Sequence, residues 1–488
     1  MSEQILVQGK LLGIDEFLVS ETSSSTSPGD EILGARSLWI TLVCEVVPRA
    51  LLAELELARL LLGSSGGGQF LIVLPDTVRA QAEEFLSNAA VSIGDMTGGT
   101  VKLVWSMTEN LGDWTVVRKR LTDELQGRRD TPLARQRNFA PHAPVFGTNA
   151  FFTPELAREL REANSVGWSP GLETVIAISQ QKHNWALTAN LSLDGIALAR
   201  HAAPGEGGRA SAALSEMGAR SQGRPLWGVL RGDVDDFGVR LRRLQSIEEH
   251  VQLSMLYKQF FAGELEVLCS MPEFWRRVTI LYSGGNDFAV CGSWDALILL
   301  ARELQRMFQR FAEENLKEFP GAEAKTITMA CTLAGDPDAS LAKVYDQSGR
   351  DLAIAKAADK DCIFLLDRIL EWKQLADAAE LKEAVERISE EFRSGRQFLS
   401  ELTGLYQKVS SPLSGQTDHE KLLRRAYRFQ RRFSTAARSG REREFQKMRT
   451  HLINEIVGRN VKPAKGKQLK LRPAGVIALE WARLAQEV

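Results

Sequence analysis

Ser283-Gly284-Gly285-Asn286-Asp287-Phe288 separates two apolar runs, Val278-Thr279-Ile280-Leu281-Tyr282 and Phe288-Ala289-Val290-Cys291. Two β-prone runs around a glycine turn predict a hairpin, here with an acidic tip. Upstream, Leu230-Arg231-Gly232-Asp233-Val234-Asp235-Asp236-Phe237-Gly238 supplies a second acidic strand end. Working outward, periodicity predicts a strand at 226–232, a helix at about 244–268, the hairpin at 277–291 and a helix at 294–315. A strand at 326–333, a helix at 338–357 and a last short strand at Ile363–Leu365 follow. This order predicts an α+β unit in which carboxylates from two strand ends converge.

The hexapeptide has a twin. Ser65-Gly66-Gly67-Gly68-Gln69-Phe70 superposes on it without gaps. Its surroundings read similarly: a strand at Ser37–Cys44, a helix from Arg49 to Leu62, the turn and a strand, a helix from Thr77 to Asn88, and a strand from Thr100 to Met107. The matched context points to a duplicated α/β unit. Gly68 and Gln69 stand where the second copy has Asn286 and Asp287, so the first tip lacks a carboxylate and is a fold copy without the chemistry.

The 488 residues suffice for several domains with sizeable cores. No apolar run approaches the roughly 18 residues of a membrane span, and the N-terminus shows no signal peptide, which predicts a cytoplasmic protein without membrane partners. The five cysteines are dispersed, with no Cys-x-x-Cys pair, so neither a zinc site nor a disulfide framework is expected, and each reads as a small core residue. The net charge of −1 conceals an asymmetry. Between Lys421 and Arg472, seventeen Lys and Arg face three Glu, an excess of fourteen positive charges that leaves the remainder at −15. Within it, Arg424, Arg425, Arg428, Arg431 and Arg432 recur at helical spacing among Tyr427, Phe429 and Phe433, and Lys447 and Arg449 continue the run. Arginine beside aromatics suits phosphate contacts and base stacking, so RNA or an acidic protein partner is expected there.

These signals divide the chain into an N-terminal extension (1–36), a first, degenerate α/β domain (37–130), a linking domain (131–224), a second α/β domain (225–370) and a basic helical domain (371–488). Ser20–Asp30 and Pro204–Gly223 read as loops. Between 151 and 225, a helix from Pro154 to Ala163 and strands at Leu172–Ser179 and Trp185–Leu191 are expected.

Nucleotidyl transfer on a polymerase-like palm needs carboxylates from adjacent strand ends to hold Mg²⁺ ions against a triphosphate. Asp233 and Asp287 are the candidate catalytic residues and metal ligands. Ser283, Gly284 and Gly285 form the candidate nucleotide turn, where a backbone without Cβ lets phosphate approach. Lys356 and Lys360, one helical turn apart, are within reach of a bound triphosphate. The plainer alternative is that Asp233–Asp236 caps a helix and the glycines only turn a hairpin.

The combination Leu-Arg-Gly-Asp-Val-Asp-Asp-Phe-Gly, Tyr-Ser-Gly-Gly-Asn-Asp-Phe and Ala-Lys-Ala-Ala-Asp-Lys resembles the polymerase-like large subunit of type III CRISPR effector complexes, the Csm type in particular. The resemblance covers most of the chain from about residue 37, and more distantly the second unit resembles GGDEF-type diguanylate cyclases. It implies two ferredoxin-like palm domains, the first degenerate, followed by a C-terminal α-helical bundle. It also implies a subunit that grips the 5′ end of the CRISPR RNA, senses target RNA, and assembles with backbone repeat subunits, a crRNA-handle subunit and a small subunit. In active members the second palm makes cyclic oligoadenylate from ATP with Mg²⁺ or Mn²⁺. The stretch before the first palm is short and lacks a His-Asp dyad, so no HD nuclease is expected, and the cysteines of a zinc insertion between the palms are missing. Gly-Gly-Asn-Asp replaces the Gly-Gly-Asp-Asp of active cyclases, removing one negative charge at a site for two divalent ions. Asp235 and Asp236 are candidates to compensate. The expectation is a scaffold whose cyclase is weakened or lost; the alternatives are an active cyclic oligoadenylate synthase in the same complex and a stand-alone GGDEF-like cyclase.

Overall fold

The computed structural model describes residues 3–19, 28–129, 151–188, 195–206, 211–391, 440–456 and 473–486. They form a mixed α and β protein in two compact units: 1–220 with 226–360, and 221–225 with 361–488.

The first unit is built on two four-stranded antiparallel arrays. Strands β1 (Gln4–Leu12), β2 (Leu62–Gly66), β3 (Gln69–Pro75) and β4 (Lys102–Glu109) lie in the order β2-β3-β1-β4. Three short strands, β5 (Ser165–Trp168), β6 (His183–Thr188) and β7 (Gly195–Ala197), make a separate sheet. Strands β8 (Trp227–Val234), β9 (Val278–Gly284), β10 (Asp287–Ser293) and β11 (Ile327–Leu333) lie in the order β9-β10-β8-β11. Each array has the same plan: a central first strand, a crossover helix, a hairpin, a second helix and a last strand beside the first. The crossovers are Pro28–Glu54 in one and Ile247–Cys269 in the other, the latter in π form at Gln259–Glu264.

The duplication extends to side-chain detail. In the first array Gly9 faces Phe70 and Lys10 faces Gln69; in the second Gly232 faces Phe288 and Asp233 faces Asp287. Each phenylalanine ring lies over its opposite glycine so closely that an added Cβ would come within 2.1 Å of Phe70 Cζ at Gly9, and within 2.3 Å of Phe288 Cε1 at Gly232. Each crossover helix, besides packing on its own array, reaches across to the other. Pro28–Glu54 packs on β9, where Ser37 Oγ donates to the Leu281 carbonyl at 2.6 Å, and Ile247–Lys258 packs on β2.

Two expectations are corrected. Residues 4–12 are not an extension but the central strand of the first array. Ser37–Cys44 is not a strand but part of the helix Pro28–Glu54, which also ends before the expected Leu62. Leu38, Trp39, Leu42, Val43, Val46 and Val47 are all buried, and an apolar run buried on every side carries no period to separate helix from strand. The expected loop at residues 20–30 lies partly outside the described residues, and Pro28–Asp30 belongs to that helix.

The second copy follows its expected order, with Phe237–Arg243 as an added short helix. Its helix Trp294–Asn315 buries Trp294, Leu297, Ile298, Ala301, Leu304, Phe308 and Ala312, the one-sided stripe its periodicity implied. In the linking region Pro154–Glu162 is helical, with Thr153 accepting from Leu156 N as N-cap. Leu172–Ser179 forms no strand, contributing only an isolated Gly167–Ala177 bridge, and Leu214–Ala219 is a helix within the expected loop. In the second unit a hairpin, β12 (Cys362–Leu365) and β13 (Arg368–Glu371), precedes helices Trp372–Glu391, Gly440–Ile456 and Pro473–Gln486. The first and last of these pack together, with Lys382 over the Trp481 ring at 5.9 Å. All five cysteines are buried free thiols.

The ring-over-glycine contacts predict that Gly9→Ala and Gly232→Ala each lower stability by roughly 1–3 kcal/mol through overpacking. Pairing Gly232→Ala with Phe288→Leu is expected to recover part of the loss, as measured by urea unfolding of each variant.

Candidate functional site

The second hairpin closes through Gly285 and Asn286, with Gly284 opposite Asp287 and Gly285 at φ +64°. Only the first of the two turn residues needs positive φ, the pattern of a type II′ turn. In the first copy Gly67 and Gly68 both have positive φ, 58° and 76°, the type I′ pattern, whereas in the second Asn286 follows Gly285 without needing positive φ.

The turn delivers Asn286 to Asp233. The Asn286 carbonyl accepts from Val234 N at 2.9 Å, and its side-chain amide donates to Asp233 Oδ1 at 2.5 Å. The other oxygen of Asp233 takes a close hydrogen bond from Lys356 Nζ, which also donates to the Val234 carbonyl at 3.3 Å. Lys360 Nζ pairs with Asp236 Oδ1 at 2.7 Å. The structure thus brings together Asp233, Asp287, Asn286 and Lys356 in one site and places Lys360 beside it. Asp235 is not available to compensate for Asn286: it is buried and accepts from Thr328 and Thr326 at 2.7 and 2.9 Å.

Sequence reasoning missed the second half of the site. Tyr282 OH donates to Asp287 Oδ2 at 3.0 Å. Arg231 stacks over the Tyr345 ring at 4.3 Å and pairs with Asp15 at 3.3 Å, which also accepts from Tyr345 OH at 3.3 Å. The available signal was spacing, since Arg231 lies two residues before Asp233 and so shares its face of the strand.

Burial raises the pKa of Asp233, even against the opposing pull of Lys356 and Asn286. Burial, and then the Asp233 charge, pushes Asp287 up to about 7, with the Tyr282 hydroxyl opposing. Asp287 is therefore largely protonated at slightly acid pH. An aspartate at 286 would set a further negative charge against Asp233; the asparagine donates a hydrogen bond there instead, and with Lys356 it satisfies both Asp233 oxygens from within the chain. The two facing carboxylates, Asp233 and Asp287, are the acidic donors of this site that suit a divalent cation. Among the described residues no group of three or more His, Cys, Asp or Glu is placed to hold a metal.

In the first copy Lys10 and Gln69 occupy the places of Asp233 and Asp287. Neither supplies a carboxylate to a cation.

Residues 226–364 match the family model of the Cas10/Cmr2 second palm domain, and residues 3–111 match Csm1 subunit domain B. The chain belongs to the Cas10/Csm1 family. It is 26% identical over 197 residues to an Enterococcus italicus protein named CRISPR system single-strand-specific deoxyribonuclease Cas10/Csm1 (subtype III-A). That match covers 38% of this chain and 24% of the relative, so the chain spans about a quarter of its length. A like-named Thermococcus onnurineus protein is 26% identical over 114 residues, 20% of this chain and 15% of that protein. The fold is similar to the solved structure of Csm1 in T. onnurineus (TM-score 0.72, 18% identity, 100% of this chain and 70% of that one). It is also similar to a Csm1–Csm4 cassette in complex with cA4 (TM-score 0.71, 18% identity, 99% and 70%).

Of the basic residues singled out in the C-terminal segment, Arg424, Arg425, Arg428, Arg431 and Arg432 lie outside the described residues. Lys447 is exposed on the helix Gly440–Ile456. Arg449 on the same helix is buried, with its guanidinium 5.5 Å from the Phe445 ring centre, so it packs rather than presenting a charge to solvent.

The raised Asp287 pKa fixes a pH dependence. A carboxyl whose folded pKa exceeds its unfolded one stabilises the fold at low pH, and this advantage is lost as pH rises toward the folded value. Asp287→Asn is therefore expected to gain stability over the parent progressively between about pH 4 and 7, by at most about 1.4 kcal/mol per pH unit, and to level off above. Thermal unfolding of both proteins across pH 4–8 measures the gain.

Proposed function

We propose that this chain is a Csm1-type large subunit of a type III CRISPR ribonucleoprotein, with two ferredoxin-like palms and a C-terminal helical bundle, whose second palm binds ATP but has weakened cyclase chemistry. The observation that carries the reading is the facing pair Asp233 and Asp287 at the tip of the second copy, with Asn286 donating to Asp233. Similar solved structures include Csm1–Csm4 cassettes in complex with AMPPNP and with cA4, which supports nucleotide binding as part of this reading.

In this reading Ser283, Gly284 and Gly285 present the backbone to the triphosphate, and Lys356 and Lys360 supply positive charge to its phosphates. Asp233 and Asp287 would hold a single Mg²⁺ or Mn²⁺, whose chemistry when bound is to neutralise phosphate charge and lower the pKa of the attacking hydroxyl. Tyr282 holds Asp287 in place by its hydrogen bond, and Arg231, anchored on Tyr345 and Asp15, fixes the strand bearing Asp233. CRISPR RNA, target RNA and the backbone repeat, crRNA-handle and small subunits are the proposed partners, with the basic helical segment facing nucleic acid.

The test uses the reconstituted complex with ATP, Mg²⁺ or Mn²⁺ and complementary RNA, read by mass spectrometry for oligoadenylates. The parent is expected to yield little product and Asn286→Asp to raise it by roughly tenfold or more, about 1.4 kcal/mol of barrier. Robust synthesis by the parent that is lost in Asp233→Ala would overturn the weakened-cyclase reading in favour of an active synthase. Turnover by the isolated chain, without RNA or partners, would instead favour a stand-alone cyclase.

A further inference from the structure

The two hairpin tips touch each other and hang from one segment of helix. The contact is backbone on backbone. A Cβ on Gly67 would lie 3.2 Å from Gly285 Cα, one on Gly285 3.1 Å from Gly67 Cα, and one on Gly284 3.0 Å from Gly67 N. Behind the first tip is a buried ionic cluster. Glu45, 2% exposed, accepts at Oε2 from Lys258 Nζ (2.6 Å), Arg49 (2.7 Å) and Ser65 Oγ (2.8 Å). Lys258 Nζ also reaches Ser65 Oγ at 3.1 Å and the Ser65 carbonyl at 3.4 Å. Although burial pushes the Glu45 carboxyl upward, Lys258 and Arg49 hold it down at about 2, so it stays ionised.

Ser65 and Ser283 are equivalent positions of the repeated hexapeptide. Ser283 Oγ donates to the carbonyl of Phe261 at 2.6 Å, three residues beyond Lys258. Between these two anchor points the crossover helix changes from α to π at Gln259, a device often found at functional sites. Lys258 and Glu45 sit on the two equivalent crossover helices, one from each copy. The segment Lys258–Phe261 therefore holds the same serine of both tips at once, by its side chain on one and by its backbone on the other.

We propose that this segment is a shared anchor through which the first tip positions the second, making Lys258, Glu45 and Ser65 positioning residues for the Gly284-Gly285 turn. The inference rests on the reading of that turn as a nucleotide site. It explains what a tip without carboxylates contributes: a rigid abutment, tied down by a buried charge network, that sets where the turn can lie. A purely local role of the cluster would stabilise residues 63–68 and leave the second turn unaffected.

Hydrogen exchange of the full chain, followed by mass spectrometry without nucleotide, separates the two. The double variant Glu45→Gln/Lys258→Met, which removes the ion pair between the two crossover helices and leaves Arg49 charged, is expected to speed exchange in peptides covering 283–288 about tenfold, with peptides in 294–315 unchanged; Ser65→Ala is expected to act in the same direction by about threefold. Unchanged exchange at 283–288 alongside faster exchange at 63–68 overturns the proposal. If the double variant also loosens 294–315, Ser65→Ala decides by the same criterion. AMPPNP titration of the same proteins tests the nucleotide reading apart from the coupling. Affinity is expected to fall about tenfold in the double variant, whereas a parent that binds no AMPPNP refutes the nucleotide site, and the exchange result still decides the anchor.

Discussion

The rest of the first unit depends on the close approach of Gly67 to Gly285. A side chain on either backbone would be strained at that point: an added Cβ would stand 3.1–3.2 Å from the opposing Cα, so the tips would have to part by a few tenths of an ångström, and both residues have positive φ. Glycine on both sides lets the two β arrays meet tip to tip at this distance without strain. This accounts for a repeat that is visible in sequence even though its copies differ in chemistry. Glycines shared by Ser65–Phe70 and Ser283–Phe288 answer to the interface, while the two positions that follow them are released to differ. A Gly-Gly turn is on this ground better testimony to a paired architecture than to catalysis.

Charge, by contrast, separates the copies. Asp233 sits in a partly buried site where its own side-chain neighbours, Asn286 and Lys356, complete its hydrogen bonding. Leaving a buried carboxylate unpaired is costly, and a site built for metal leaves that debt for the ion. Here the chain settles most of it internally. The remaining carboxylate, Asp287, faces Asp233 and is pushed toward neutrality by burial. Under the proposed function, asparagine at 286 thus shapes the site twice: it offers no further carboxylate, and it supplies a competing donor to Asp233.

Much of this was legible in the sequence, and the failures share a cause. The hairpin, its twin, the flanking helix Trp294–Asn315 and the strand Ile327–Leu333 announce themselves by alternation or helical stripe. The run Leu38–Val47 does not, because it is buried all round. Taking it for the first strand displaced the true one at Gln4–Leu12 into an extension, and with it Lys10, the counterpart of Asp233. The residues around Asp287 were hidden for another reason: Asp15, Tyr282 and Tyr345 come from three elements far apart in sequence that meet only in the folded unit. Glu45 and Lys258, 213 positions apart, are the extreme case. No local pattern marks either as anything but an ordinary helix charge.

The resting positions of the two lysines bear on how such a site answers to a ligand. Lys356 is engaged with Asp233 and Lys360 with Asp236, so each cation is already spent on a neighbouring carboxylate. A phosphate draws Lys356 away only by offering more negative charge than Asp233 does, or when another cation takes over that carboxylate. Under the proposed function, occupancy of Asp233 and release of Lys356 are then one exchange of partners rather than two independent contacts. With Asn286 still donating to Asp233, the carboxylate does not lose all its partners when Lys356 leaves, which weakens its demand for a replacement cation. The asparagine therefore acts on the balance between ammonium and metal as much as on the number of ligands.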